Sequence, residues 1–179
     1  MAASRKPVIV RKLTRDWYAG YAAALPPDDK GPDLELLESS GKLLSVPWSE
    51  IKWVCYVREP AGSAGAGILT RNDTPDPERL LRRRFTSRPR TAGIWLRLTL
   101  ADGEELEGIA ANDRSLIDST GLLLTPPDTR SSTQRVFVPR GAIRDLTILA
   151  VIAPASPHPQ KQGAQPQLFE KEPDEDQSS

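Results

Sequence analysis

The sequence predicts an all-β protein built from two five-stranded small β-barrels in tandem. Three observations predict it. Val46-Pro47-Trp48-Ser49-Glu50-Ile51-Lys52-Trp53-Val54 and Val138-Pro139-Arg140-Gly141-Ala142-Ile143-Arg144-Asp145-Leu146 share one grammar: apolar, Pro, three residues, Ile, a basic residue, and an apolar residue three positions after the Ile. Such a repeat is the mark of a duplicated supersecondary unit. Gly20 follows Val10 at the same distance as Gly108 follows Leu98. Finally, short apolar runs are separated by Gly, Pro, Asp and Ser turns throughout, which is the punctuation of short strands.

The first block reads in order. Pro7 to Leu13 is a strand, with Val8 and Val10 apolar, and Asp16 begins a turn. Trp17 to Ala23 is the second strand, and Gly20 within it marks a bend or a close backbone approach. The run 26–32, Pro-Pro-Asp-Asp-Lys-Gly-Pro, is a loop by its turn chemistry. Leu34 to Leu37 is the third strand and Leu43 to Val46 the fourth. Pro47 ends it because proline has no ladder donor, and Trp48 to Ile51 fits one 3₁₀ turn. Lys52 to Val57 is the fifth.

The second block repeats the order. Trp95, Leu96, Leu98 and Leu100 open it, Ala101-Asp102-Gly103-Glu104 is a hairpin turn, and Glu105 to Ala110 is its second strand. Leu122 to Leu124, Arg135 to Val138 and Leu146 to Ile152 complete the copy, with a tight turn from Pro139 to Ile143. Between the blocks, Asp76-Pro77-Glu78 starts a short helix: Asp caps, Pro suits the first helical position and Glu suits the positive end. The stretch 154–179, rich in Pro, Gln, Ser and acid, predicts disorder. The expected organisation is a first barrel over 5–58, a linker with a helix and an arginine-rich segment over 59–92, a second barrel over 93–153, and an acidic tail over 154–179.

Composition argues against catalysis. His158 is the one histidine and lies between prolines in the tail; Cys55 is the one cysteine and lies in an apolar run. That leaves no Ser-His-Asp or Cys-His arrangement and no soft metal-ligand cluster. No glycine-rich phosphate loop joins a strand to a helix. The expectation is a protein with no enzymatic role, no cofactor and no metal. A lone buried thiol and the lack of a signal-type or membrane-length apolar stretch predict a soluble cytoplasmic protein.

Net charge is zero, but its distribution is uneven. Arg79, Arg82, Arg83, Arg84, Arg88 and Arg90 fall in one stretch without an acidic residue. Guanidinium groups offer planar, paired donors to phosphate oxygens. Arg84 and Arg88, spaced as Arg-x-x-x-Arg before the second block, and Asp113 and Ser115 in the loop after its second strand form a candidate anion site. These residues resemble the two motifs of the PilZ family of bacterial barrels, which binds cyclic di-GMP. The resemblance covers residues 84 to about 146 and departs at Asp118, where the family has Gly. It implies a regulatory module taking cyclic di-GMP at Arg84, Arg88, Asp113 and Ser115.

Leu96, Leu98 and Leu100, Asp102-Gly103, Gly108, Asp113 and Arg140-Gly141 before Ile143 also resemble the Sm family. That resemblance implies single-stranded nucleic acid as the ligand, with Arg79, Arg82, Arg83, Arg90 and Arg140 as contacts. Both resemblances imply the same architecture, an SH3/Sm-like or PilZ-like barrel of five strands. The layout as a whole resembles uncharacterised bacterial proteins with a duplicated small barrel. Trp17, Trp53 and Trp95 are expected in the core, and Trp48 is expected to be the most exposed tryptophan.

The tail carries one further motif. Gln165, Leu168 and Phe169 are spaced as Gln-x-x-Leu-Phe, which resembles the peptide that docks bacterial replication proteins on the DNA sliding clamp. It implies a protein partner and makes an interaction adaptor the third functional expectation.

Overall fold

The computed structural model describes residues 5–23, 31–58, 81, 83–127 and 133–154. Its strands are β1 (Arg5–Lys12), β2 (Trp17–Ala23), β3 (Asp33–Leu37), β4 (Leu43–Pro47), β5 (Ile51–Val57), β6 (Gly93–Leu100), β7 (Glu105–Ala110), β8 (Gly121–Thr125), β9 (Thr133–Pro139) and β10 (Ile143–Ile152). One short helix, α1 (Ser115–Asp118), interrupts the β7–β8 connection. The all-β expectation holds. The helix expected from Asp76 and the tail beyond Pro154 lie outside the described residues. Among the described residues no helix is long and apolar enough to cross a membrane.

The repeat in the sequence is a repeat in the backbone. Pro47 and Pro139 hold φ at −59° and −58° and lead into the 3₁₀ turns Trp48–Glu50 and Arg140–Ala142. Each turn closes when the N–H of the following Ile51 or Ile143 donates to the first carbonyl of the turn, on Trp48 or Arg140. This is what the shared Pro-x-x-x-Ile spacing encodes. Val8 pairs with Gly20 and Leu96 with Gly108 in matching registers. A Cβ on Gly20 would stand 2.6 Å from the Leu37 carbonyl oxygen, so β3 crosses β2 too closely for a side chain there.

Strand pairing joins both repeats into a single ten-stranded antiparallel sheet in the order β10-β6-β7-β8-β9-β5-β1-β2-β3-β4. Two separately closed sheets were expected. Within each repeat the order is the same, β5-β1-β2-β3-β4 and β10-β6-β7-β8-β9, but no ladder among the described residues joins β4 to β5 or β9 to β10. The open side of β5 is instead taken by β9 of the other repeat, with Val54 opposite Phe137 and Cys55 opposite Val136.

The reason lies in β5 itself. Its seven residues, Ile-Lys-Trp-Val-Cys-Tyr-Val, are all buried, so it presents an apolar surface on both faces. Successive side chains point to opposite faces of a strand. Ile51, Val54 and Tyr56 enter a core with Val8, Val10, Leu34, Leu36 and Val46. Trp53, Cys55 and Val57 enter the other core, with Ile9 and the second-repeat residues Leu96, Leu98, Leu106, Leu122 and Val138. Phe137 crosses the other way, a second-repeat ring buried in the first core, where it packs edge-on against Trp48 at 5.7 Å. A strand that serves two cores welds the repeats together.

A buried cation strengthens the weld. The ammonium of Lys52, on β5, bonds Asp102 and Glu104 in the β6–β7 turn and lies 4.8 Å from the Trp53 ring centroid. Burial pushes the Asp102 carboxyl up, but the hydrogen bonds from Lys52 and from the Glu104 N–H outweigh it and hold the group below its usual range.

Candidate functional site

The arginine segment lies across the outer face of β6 and β7. Alternation along β7 turns Glu105 and Glu107 outward, and Trp95 on β6 stands beside them. Arg84 Nη2 is 3.2 Å from Glu105 Oε2, and its Nε is 3.4 Å from Glu107 Oε2. Arg84 Nη1 also donates to the carbonyls of Leu81 and Arg83. Glu107 is buried, and its other oxygen accepts from Trp95 Nε1 at 2.5 Å. The Phe85 ring meets Trp95 edge to face at 5.7 Å. Arg84 and Phe85 therefore form a clip: the ring covers the indole, and the guanidinium compensates a carboxylate withdrawn from water. A buried carboxylate left without such a partner would be strongly unfavourable.

The other members of the expected anion site go elsewhere. Arg88 Nη2 donates to the carbonyl of Val151 on β10 at 3.3 Å. Asp113 Oδ1 accepts the N–H of Ser115 at 2.8 Å, and bonds from the Ser115 side chain and backbone hold its carboxyl below the usual range. That pair opens α1 and stays within its own loop. The bonds described for Arg84 and Arg88 thus run to β7, to β10 and within the arginine segment, and those for Asp113 and Ser115 stay within the α1 loop. No described bond joins the two halves.

The nucleic-acid set divides similarly. Arg79 and Arg82 lie outside the described residues, and Arg83 and Arg90 are exposed. Arg140 is engaged structurally: Nε donates to the Ser119 carbonyl at 3.0 Å, and Nη2 donates to the carbonyls of Leu116 and Ile117. Its Arg-Gly element anchors the α1 loop to the 3₁₀ turn. Among the tryptophans, Trp53 is fully buried, while Trp17, Trp48 and Trp95 are half-buried. Gln165, Leu168 and Phe169 lie outside the described residues.

A different surface stands out. β10 occupies one end of the sheet, and among the described residues it pairs only with β6. Leu146, Ile148, Leu149 and Val151 along it are exposed large apolar residues. At the opposite end β4 pairs, among the described residues, only with β3, and Leu43 on it is exposed as well. The apolar run Leu146 to Ile152 reads as the last strand of its repeat, and its composition alone does not distinguish a buried strand from an exposed edge. The signal that could have found the surface is the repeat itself: β10 copies β5, and β5 needs a neighbour on each side.

The family model described as "Family of unknown function (DUF6982)" matches residues 4–150, most of the chain, and the chain belongs to that family. No curated protein and no solved structure matches it.

Proposed function

We propose that this member of the DUF6982 family is a non-enzymatic interaction module that receives an extended polypeptide on the open edge of β10. Its repeats are read as half-open small barrels of the SH3/Sm-like kind, on the support of their shared strand order. The observation that carries the reading is the apolar row on an edge strand. An edge offers unpaired N–H and C=O groups to any extended chain, and soluble proteins usually blunt such edges with proline, charge or cover. β10 has charge only near its start, at Arg144 and Asp145, and no proline between Ile143 and Ile152. Backbone bonding would supply affinity, and pockets for alternate side chains would supply selectivity.

The anion-binding reading, with cyclic di-GMP or single-stranded nucleic acid on the arginine segment, ranks behind it. A phosphate at Arg84 would have to displace Glu105 and strip the compensation from buried Glu107. The test is a photo-crosslinking amino acid placed at position 148 in cells, with position 35 on β3 as the control. Covalent adducts with a polypeptide at 148 and none at 35 are expected. Absence of adducts at 148 would overturn the reading.

A further inference from the structure

We infer that the strand received by β10 is β4 of a second copy of this chain, set in the register that β9 already uses on β5. The inference rests on the edge-docking reading and names its partner. Among the described residues the two strands left with one neighbour are β10 and β4. By the repeat, these are the counterparts of β5 and β9, the strands whose pairing joins the two halves. Each chain therefore carries one complete joint inside it and half of the same joint at either end.

The register can be carried across position by position. On the internal joint Val54 faces Phe137, Cys55 faces Val136 and Tyr56 faces Arg135. The shared grammar aligns Ile51 with Ile143 and Val46 with Val138. The second joint then sets Leu146 opposite Ser45, Thr147 opposite Leu44 and Ile148 opposite Leu43. Ile148 is 58% exposed and Leu43 50%, so two of the most exposed apolar side chains on the described surface would cover each other. On the β5 side the existing joint is the control: Val54 is 0% exposed and Tyr56 6%, against 39% for Leu146 and 58% for Ile148, while Arg135, the counterpart of Leu43, is exposed.

Charge follows the same correspondence. Lys52 reaches the β6–β7 turn of the other repeat, where it bonds Asp102 and Glu104. Its counterpart Arg144 is exposed, and the counterpart of that turn is the β1–β2 turn. The two turns match closely: Lys12 N–H bonds the Asp16 carbonyl as Leu100 N–H bonds that of Glu104, and Arg15 and Gly103 both take positive φ, 75° and 87°. Asp16, which accepts from the Thr14 hydroxyl at 2.9 Å, thus stands where Glu104 stands and would meet Arg144 of the second copy. The correspondence is incomplete: Thr14 stands where Asp102 stands, so one of the two carboxylates that hold Lys52 has no counterpart, and Leu43 stands where Arg135 stands. Ser45 replaces Phe137 and donates to Asp33 at 2.6 Å, so the joint between chains lacks the aromatic plug of the internal one and forms as concentration rises. Pairing β10 with β4 is head to tail, and repetition builds a ring or a filament.

Sedimentation of the full chain over about a hundred-fold range of concentration should show mass-action growth from monomer to larger species. Ile148→Lys and Leu43→Lys, both on exposed positions, should each remain monomeric with an unchanged circular dichroism spectrum. Mixed together they should form a dimer and stop there, because the first keeps a good β4 and the second a good β10. Wild type that stays monomeric throughout overturns the inference, as does assembly that Ile148→Lys abolishes and Leu43→Lys does not, which would mean β10 pairing with β10. Crosslinks from position 148 separate the two proposals. Adducts at Leu43 of a second copy support both, adducts only to another protein sink this one alone, and no adducts sink both.

Discussion

Replacing Phe137 by Ala tests whether the two repeats fold as one body. The ring belongs to β9, but it is buried at 1% exposure in the first core, with Trp48 edge-on and Val54 opposite across the ladder. Truncating a buried Phe to Ala typically costs about 3–5 kcal/mol, the spread reflecting how far the site can collapse. Collapse is restricted here. Gly121 packs beneath the ring, so tightly that a Cβ there would stand 2.6 Å from Phe137 Cζ, and both strands are fixed by ladders. A loss of about 4 kcal/mol is therefore expected, a large share of the roughly 5–15 kcal/mol that stabilises a domain. With a urea slope of about 2 kcal/mol per molar, the midpoint should fall by about 2 M. Tryptophan fluorescence and far-ultraviolet circular dichroism should move together, since the tryptophans report the cores and the ellipticity reports the whole sheet. A loss under about 1 kcal/mol, or two separated transitions in the wild type, would refute the argument that β5 and β9 weld the repeats.

Other outcomes follow from the same contacts. Asp102 titrates below its usual value of 3.8 in the folded state, so its contribution to stability is present above about pH 4 and is lost as pH falls through the lowered folded value; Asp102→Asn should flatten the acid limb of a stability–pH profile. Burial pushes the Cys55 thiol far up, so labelling by a thiol reagent at pH 8 should be slow in native protein and rise with urea along the unfolding curve; rapid native labelling would mean that β5 is open. Arg84→Ala should lower stability by about 1–3 kcal/mol by leaving the buried Glu107 carboxylate with the Trp95 N–H but without its cation, measured by urea unfolding, and Arg84→Ala/Glu107→Gln should recover part of it. Calorimetric titration with cyclic di-GMP at physiological salt should give no saturable heat; saturable binding that Arg88→Ala removes would restore the anion-site reading.

Much of the strand plan was legible because it is local. Pro47 and Pro139 end strands for want of an N–H, and the matching isoleucines close the turns, so the positions of β4, β5, β9 and β10 follow from the sequence to within a residue or a few. The continuous sheet was hidden because it depends on which of two apolar strands takes the open side of β5. Periodicity shows that Trp53 to Val57 is apolar on both faces, but it cannot name the strand that lies beside it. The arginine pair misled for a related reason. Spacing places Arg84 and Arg88 four residues apart but says nothing of Glu107, whose alternating position on β7 buries a carboxylate beneath the segment. The Asp113–Ser115 contact was readable as a pair, and its use as a local turn was not.

The two ends of the sheet are blunted to different degrees, which bears on the strength of any association there. β4 is five residues long, ends in Pro47 and ties Ser45 to Asp33, so little of it invites a random strand. β10 is ten residues long, but its ladder with β6 shifts register between Ile143 and Asp145 and again between Ile148 and Ala150. Such shifts bend a strand and interrupt its edge. The straight stretch between them, Asp145 to Ile148, holds all three residues that the repeat sets against β4. The internal joint is similarly short: β5 and β9 keep one register from Val54 to Tyr56 and then shift. A joint of three residue pairs that includes Phe137 holds inside a chain, where the effective concentration of the partner strand is high. The same three positions with Ser45 in place of Phe137 give two chains a contact that forms and dissolves with concentration.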